Sequence, residues 1–324
     1  MTLARRRFLQ LAAGAAALPG LPRSAVALDY PVRPARIIVG FPAGSASDIG
    51  TRLLAQALSE RLGQQFLVED RPGAASNIGS GVVAHAPADG YTLLAVTAIN
   101  AVNATLYSNL NFDIMRDFAP IAGTFLAPNV MAVNPSVPAK TVPEFIAYAK
   151  ANPGKLNMAS VGVGSSSHCA GALFMAMAGV DLVHVPYRAS YFPDLLAGQV
   201  QIAFSPIPAA IGYIRAGTLR ALGVTSETRS DALPDVAPVS QFVPGYEASL
   251  WVGLAVPRKT PAEIVDKLNT EIHAILATPA MKAQLANLAA EPMTPTTPAA
   301  FGKFIAGEIE RWAKVVKEAN MKPE

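Results

Sequence analysis

Short apolar runs alternate with longer amphipathic stretches along most of this chain. The short runs predict buried strands, and apolar residues that recur every three to four positions predict helices with one buried face. This alternation is typical of α/β layers, in which helices cover both faces of largely parallel sheets. The predicted strands are 36–41, 65–69, 91–96, 129–133, 155–160, 182–186, 200–204, 219–224 and 250–256. The predicted helices are 47–62, 76–86, 141–151, 166–178, 190–197, 208–216, 261–277, 279–289 and 298–319.

The chain has 324 residues, which is enough for two domains with sizeable cores. No long Gly/Ser linker separates two halves, so we expect short crossovers near 122–128 and 223–228. The first domain would then be discontinuous. It would comprise 28–125 and 225–324, with 126–224 as the second domain.

Residues 1–27 have the pattern of a secretory signal peptide. Arginines at 5–7 precede an apolar stretch at 8–18, and Ala-Val-Ala at 25–27 fits an A-x-A cleavage site. The arginines with the following Phe-Leu also fit the twin-arginine pattern R-R-x-F-L, with an ordinary Sec signal as the alternative. We therefore expect cleavage after Ala27 and a soluble mature protein in the periplasm, because no later segment reaches the length of a membrane span.

The formal charge of +3 comes from this leader. Residues 1–27 contain four arginines and no acid, so 26 less 4 leaves 22 basic residues against 23 acidic ones. The charge therefore gives no indication of a nucleic-acid or membrane-surface partner. Cys169 is the only cysteine, which excludes an intramolecular disulfide and a cysteine-based metal site.

Two strand–loop–helix units carry the same chemistry. The first loop reads Phe-Pro-Ala-Gly-Ser-Ala-Ser-Asp at 41–48, and the second reads Gly-Val-Gly-Ser-Ser-Ser-His at 162–168. Each supplies backbone N–H donors, serine hydroxyls and the positive end of a helix, which together favour an anion. Two such loops could hold both ends of a dianion or clamp one carboxylate between domains.

Enzymatic interpretations of these loops are less well supported. Neither loop contains G-K-[ST] or G-x-S-x-G, and no pair of histidines has zinc-ligand spacing. Ser165 and His168 share one helical turn, which favours a cap contact over a catalytic dyad. Asp48 could be a base, but its position at a helix start favours a dipole interaction. We expect no catalytic residue, no metal and no cofactor.

Tyr187 and Arg188 follow a predicted strand and precede a short predicted helix. Tyr187 could line a cleft, with Arg188 near an anion. A packed tyrosine and a surface arginine are the alternative.

Several segments, in order, resemble one known family. They are the first loop, RPGAASNIGSGVVAHAPADGYTLL (71–94), RDFAPIA (116–122), GVGSSSHCAGALF (162–174), VPYR…LLAGQVQ (185–201) and AGTLRALGVTS (216–226). Together they resemble the extracytoplasmic solute-binding receptors of tripartite tricarboxylate transporters, the Bug or TctC-like family. The resemblance covers essentially all of 28–324.

The resemblance implies a two-lobed type II periplasmic-binding-protein fold, with a small carboxylate in the cleft between the lobes. In that family two loops grip the carboxylate, mainly through backbone amides. Here these are the first pincer (Phe41 to Asp48) and the second pincer (Gly164 to His168), and the loop from Thr97 to Asn103 also faces the cleft. The candidate ligand-binding residues are Phe41, Ala43, Gly44, Ser45, Ser47, Asp48, Thr97, Asn100, Gly164, Ser165, Ser166, Ser167, His168, Tyr187, Arg188 and Ser205.

This sequence departs from the family pattern at four places. The Pro-Gly-Gly of the family's first loop is Pro-Ala-Gly-Ser at 42–45 here, which adds a hydroxyl, and Ala189 stands in place of a glycine beside a more aromatic stretch. Ile99-Asn100 stands where the family has Thr-His. Ser205 replaces an aspartate, which argues against an amino-acid ligand because the partner of an amino group is missing.

The resemblance implies a monomeric periplasmic receptor that delivers a small carboxylate to the membrane subunits of a tripartite tricarboxylate-type transporter. A receptor that presents its ligand to a signalling partner is the first alternative. An exported enzyme that acts on a carboxylate is the second. The sequence leaves the identity of the carboxylate open.

Overall fold

Two mixed β-sheets with helices on their faces form the protein in a computed structural model, which describes residues 29–187, 190–293, 297–318 and 321–323. The predicted signal peptide and Arg188 lie outside the described residues. The first sheet has the strand order β11-β4-β10-β3-β1-β2. Its strands are β1 (Ala35–Val39), β2 (Phe66–Asp70), β3 (Thr92–Thr97), β4 (Phe118–Ala127), β10 (Leu250–Pro257) and β11 (Glu291–Pro292).

The second sheet has the order β7-β6-β8-β5-β9. Its strands are β5 (Asn129–Val133), β6 (Asn157–Ser160), β7 (Val183–Pro186), β8 (Ile202–Pro206) and β9 (Arg220–Val224). The helices are α1 (Ala46–Leu62), α2 (Asn77–Ala84), α3 (Ala98–Leu106), α4 (Val142–Ala151), α5 (Ser166–Ala178), α6 (Phe192–Leu196), α7 (Ile207–Arg215), α8 (Ala262–Leu276), α9 (Pro279–Asn287) and α10 (Pro298–Glu318). None of the helices within the described ranges is long and apolar enough to cross a membrane.

The α/β class and the two sheets confirm the predicted fold, but the strand directions correct one detail. Each sheet mixes parallel and antiparallel pairs, whereas mostly parallel sheets were expected. Strand β1 is parallel to β2 and β3, while β10 is antiparallel to both of its neighbours. In the second sheet β6 is parallel to β7 and β8, while β5 is antiparallel to β8 and β9. Strands β5 and β10 arrive from the other sheet without a crossover helix, so nothing fixes them in the parallel direction.

Helices cover both faces of each sheet and form three apolar cores. Helices α1, α8 and α9 pack on one face of the first sheet, and α6 and α7 pack on one face of the second. The third core is shared, because residues of both sheets meet there with α3, α5 and α10. The last turns of α10 contribute Trp312, Val315 and Val316 to this shared core.

The chain passes twice between the sheets. Strand β4 ends at Ala127 and β5 begins at Asn129, so only Pro128 separates them. The return segment runs from β9 to β10 and is anchored on two helices. The Tyr246 hydroxyl donates to the Ala170 carbonyl of α5 at 2.9 Å, and Arg311 of α10 donates to the Glu247 carbonyl at 2.7 Å.

Candidate functional site

Both pincers lie at the carboxyl ends of parallel strands, where α/β sheets place their ligand sites. The first pincer connects β1 to α1, and the second follows β6 and begins α5. Phe41 is half-buried against the apolar cores, whereas Ala43 and Gly44 are exposed.

The first pincer is closed by hydrogen bonds among its own residues. Gly44 has φ = +81°, and its N–H donates to the Asp48 carboxylate at 2.7 Å. Ser45 is the N-cap of α1, with φ = −68° and ψ = 157°, and its hydroxyl accepts the Asp48 N–H at 3.2 Å. The Ser45 N–H donates to the Pro42 carbonyl at 3.2 Å. All three of these bonds are made within the loop and need no ligand.

The second pincer repeats this geometry at the start of α5. Gly164 has φ = +76°, and its N–H donates to Nδ1 of His168 at 3.1 Å. Ser165 is the N-cap, with φ = −67° and ψ = 160°, and its hydroxyl accepts the His168 N–H at 3.3 Å. Its own N–H donates to the Gly162 carbonyl at 3.3 Å. The Ser167 hydroxyl accepts the Val161 N–H at 3.2 Å and is buried.

The two pincers are therefore two copies of one five-residue motif, Gly-Ser-x-Ser-(Asp/His). In both copies the cap serine takes the N–H of the third helical residue, and that residue's side chain takes the glycine N–H. Within the part of the chain that the structure describes, this leaves the first two backbone N–H groups of each helix without an acceptor. These four amides, on Ala46, Ser47, Ser166 and Ser167, are donors at positive helix ends and suit an anion.

The third helical residue gives the first pincer a negative charge. The Asp48 side chain is almost fully buried, and its Oδ1 lies 2.6 Å from Nε of Arg52. Arg52 also contacts Asp70 at the end of β2, at 2.6 Å. Burial and the charge of Asp48 raise the pKa of Asp70 above its usual value. One guanidinium thus serves two carboxylates, and the N-terminus of α1 faces a carboxylate of its own chain.

The second pincer carries no such charge, because its third helical residue is a neutral histidine. Burial and the neighbouring His184 lower the pKa of His168 from 6.5 to about 3. The His168 ring stacks on that of His184, with 3.9 Å between their centroids. Since Nδ1 of His168 accepts the Gly164 N–H, the ring proton lies on Nε2. The positive end of α5 is therefore left without a compensating anion.

In the loop after β3, the candidate side chains form hydrogen bonds within the protein, which the sequence did not predict. Thr97 is the buried N-cap of α3, and its N–H donates to Oδ1 of Asn100 at 2.8 Å. The Asn100 amide also donates to the Ser80 hydroxyl at 2.8 Å. Both side chains stabilise the start of α3, so their polar groups are already bonded within the protein.

Tyr187 and Ser205 also have partners in their own lobe. The Tyr187 hydroxyl donates to Asp194 at 2.6 Å, and that bond raises its pKa to about 12. Ser205 is fully buried in β8 and accepts the Tyr191 hydroxyl at 2.9 Å. Tyr187 is half-buried beside Tyr191, with 6.2 Å between ring centroids. Arg188, the remaining candidate of this segment, lies outside the described residues.

The second pincer lies against the first lobe. A Cβ atom built on Gly164 would be 3.7 Å from Ala75 Cβ and 3.7 Å from Leu106 Cδ2. Ala75 belongs to the loop after β2, and Leu106 ends α3. Both follow strands that flank β1, so this contact brings the second pincer to the same edge of the first sheet as the first pincer.

Four residues near the site were not on the list of candidate ligand-binding residues, although Asn103 ends the loop that the family resemblance places at the cleft. Ala46 provides a free amide, and the repeated Gly-Ser-x-Ser spacing would have identified it. Arg52 lies one helical turn after Asp48, which is ion-pair spacing. Asn77 and Asn103 meet through folding alone and have no local signal in the sequence. Within the described ranges, no cluster of three or more His, Cys, Asp or Glu side chains could hold a metal ion.

Comparisons with known proteins agree on one family. The model described as the tripartite tricarboxylate transporter family receptor, TctC, matches residues 51–321. Protein BugT of Bordetella pertussis is 35% identical over 311 residues, which cover 94% of this chain and 95% of that protein. A solved structure of an R. palustris protein with adipate is 35% identical, with a TM-score of 0.80, over 91% of this chain and 100% of the other.

The periplasmic binding protein BugD is 31% identical, with a TM-score of 0.78, over 91% of this chain and 100% of its own. Both solved neighbours share the fold of this chain over about nine-tenths of its length. The chain belongs to the TctC family of tripartite tricarboxylate transporter receptors.

Proposed function

We propose that this chain is a periplasmic receptor that holds a small carboxylate between its two pincers. The observation that carries the proposal is the pair of matching helix starts, with four amides left free at Ala46, Ser47, Ser166 and Ser167. Hydrogen bonds to a charged group contribute about 1.5–3 kcal/mol each, so two or three of them account for tight binding of one carboxylate. The adipate in the R. palustris neighbour supports a carboxylate as the ligand.

The carboxylate binds mainly to the second pincer. The start of α5 has no acid in its first turn, whereas α1 has Asp48 there. A negative ligand is repelled by Asp48 and meets no such repulsion at the neutral His168. The first pincer then completes the site through its amides or through an ordered water.

Ligand capture involves a hinge motion of two lobes, 28–125 with 225–324 and 126–224. The two crossings, at Pro128 and along 225–249, would absorb the rotation. Tyr246 and Arg311 anchor the second crossing to α5 and α10, which supports a hinge at that segment. Tyr187 would border the cleft on the side of the second lobe.

The loaded receptor would deliver its ligand to the membrane subunits of a tripartite tricarboxylate-type transporter, as a monomer and without covalent chemistry. Residues 1–27 would direct export and be removed after Ala27. This part of the proposal is supported by membership of the family and by the signal pattern of the leader.

The test is calorimetric titration of residues 28–324, refolded from denaturant to remove carried-over ligand. Adipate, malate, succinate, citrate, benzoate and aspartate form the panel. We expect at least one carboxylate to bind, and to raise the unfolding temperature by mass action. Binding of none of them would contradict the proposal.

Substituting proline at the first position of α5 tests whether the backbone amide there binds the carboxylate. Ser166→Pro removes one free amide, and the extended Ser165 before it, with ψ = 160°, suits a following proline. We expect the Kd of the bound carboxylate to rise about 10- to 150-fold, the effect of one bond to a charged group. Ser166→Ala keeps the amide and serves as the matched control. Equal affinity of the two variants would exclude the Ser166 amide from the site.

A further inference from the structure

A buried polar cluster lies beside the first pincer and has no role in the proposed carboxylate grip. This side-chain cluster consists of Ser76, Asn77 and Asn103. The Asn103 amide donates to the Ala75 carbonyl at 2.6 Å and to Oδ1 of Asn77 at 2.9 Å. The three residues expose 1%, 9% and 1% of their surface, respectively.

Three atoms of the cluster are buried without a hydrogen-bond partner among the described residues. They are the Ser76 hydroxyl oxygen, Nδ2 of Asn77 and Oδ1 of Asn103. Nearly all buried polar groups in native proteins are satisfied. Three unsatisfied atoms on adjoining side chains therefore indicate a position that a further polar group occupies.

The hydrogen bonds fix which atom of each amide is free. Asn103 donates to two oxygens, so its bonded atom is nitrogen and its free atom is the acceptor Oδ1. Asn77 accepts that bond, so its free atom is the donor Nδ2. The free donor and the free acceptor belong to two amides that are joined directly. The Ser76 hydroxyl, next to them, can donate or accept.

The cluster lies against the residue before the first pincer, and its neighbour Ala75 lies against the second pincer. A Cβ on Gly40, the residue before the first pincer, would lie 1.9 Å from the Ser76 hydroxyl oxygen. On the other side, Ala75 accepts the Asn103 bond and its methyl group lies next to Gly164 of the second pincer. The cluster thus fills the corner where the second pincer meets the first lobe.

We propose that Ser76, Asn77 and Asn103 form a subsite for a hydroxyl group of the bound carboxylate. A hydroxyl accepts from Asn77 Nδ2 and from the Ser76 hydroxyl and donates to Asn103 Oδ1, which satisfies all three free groups. A second carboxylate only accepts and would be repelled by Asn103 Oδ1, and an apolar group would leave all three unsatisfied. The inference rests on the proposed function and assigns the ligand to the hydroxycarboxylates.

The experiment compares ligand pairs that differ by one hydroxyl, malate with succinate and lactate with propionate, by calorimetry on residues 28–324. We expect the hydroxylated member of a pair to bind about tenfold more tightly in the unsubstituted protein. If carboxylates bind but show no such preference, this inference is wrong and the proposed function stands. If no carboxylate binds, the proposed function itself fails.

Asn77→Asp is the decisive variant, because it keeps the oxygen that Asn103 needs and replaces only the free donor. Its added charge weakens both members of a pair, so the readout is their affinity ratio, which we expect to fall to about one. Ser76→Gly is the second variant. It removes an oxygen that bonds nothing and suits φ = +75°, so we expect an undiminished unfolding temperature and a reduced ratio.

Asn134→Ala is the matched control for loss of a buried asparagine. Asn134 follows the end of β5 and donates to the Leu195 carbonyl at 2.8 Å. Strand β5 is antiparallel to β8, and β8 is parallel to β6. Asn134 therefore lies at the edge of the second sheet opposite to the second pincer, which follows β6. This control should lower stability and leave the ratio unchanged. A ratio that stays at the unsubstituted value in both Asn77→Asp and Ser76→Gly would overturn the proposal.

Discussion

Giving the second pincer the negative charge of the first tests whether the second one holds the carboxylate. His168→Asp gives the second pincer the sequence of the first, Gly-Ser-x-Ser-Asp. The chain already folds this motif at 44–48, where the aspartate accepts the glycine N–H at 2.7 Å. The new carboxylate can therefore take over the bond that Gly164 now donates to His168 at 3.1 Å.

The cost to binding follows from the spacing within one helical turn. For a ligand on the first two amides of α5, we take a separation of about 5 Å from the third residue's side chain, on the order of one helical pitch. Two unit charges at this distance repel by about 3 kcal/mol at an effective dielectric constant of about 20, and by about 0.8 kcal/mol in water. We therefore expect His168→Asp to raise Kd by about 4- to 150-fold.

His168→Asn is the control, because it also accepts the Gly164 bond, also loses the stack on His184 and adds no charge. Calorimetry with the carboxylate bound most tightly in the panel gives the ratio of the two Kd values at low salt. The same ratio at high salt should shrink, since exposed charges are screened. If the Asp and Asn variants bind alike, the carboxylate does not lie at the start of α5.

Three further predictions concern the framework of the site. Ser45→Ala and Ser165→Ala each remove an N-cap bond, so each should lower the free energy of unfolding by about 0.5–2 kcal/mol in urea denaturation. Because the pKa of His168 is about 3 in the folded protein against 6.5 for the free group, the unfolded chain binds more protons between these values. Stability should therefore fall as pH drops from 6.5 towards 3, and denaturation of His168→Asn across this window should show a weaker fall. Gly40→Ala would place Cβ 1.9 Å from the Ser76 hydroxyl oxygen, so its thermal midpoint should drop, with partial recovery on adding Ser76→Gly.

Most elements of the fold were predictable, and the two longest of the missed ones, β4 and α3, show why pattern reading fails. Strand β4 carries Pro120 and Gly123, residues that argue against a central strand. Pro120 is tolerated because it pairs with Ala255 next to a register shift. Helix α3 is almost fully buried and carries no charged residue. Such a helix lacks the charged, solvent-facing side by which an amphipathic helix is usually recognised in a sequence.

The candidate site was predictable where its residues are consecutive. Each pincer is a single run of residues with local cap bonds. Its small residues and serines therefore predict a loop followed by a helix start. The hydrogen-bond partners of Thr97, Asn100 and Ser205 could not all be predicted in the same way. Their partners depend on which strands and helices become neighbours, as with the Ser80 hydroxyl that binds Asn100 from another helix.

The two motifs differ at their third helical residue, Asp48 in the first pincer and His168 in the second. This difference constrains the charge of the ligand more than the shared backbone geometry does. If both ends of a ligand were anionic, the buried Asp48 would oppose one of them, and Arg52 is already divided between Asp48 and Asp70. A single carboxylate on the second pincer avoids this repulsion. The amides of the first pincer are then best matched by a neutral oxygen, such as a water or an uncharged ligand group. The charge asymmetry thus adds to the hydroxyl subsite, and both favour a ligand with a neutral polar group beside its anionic end.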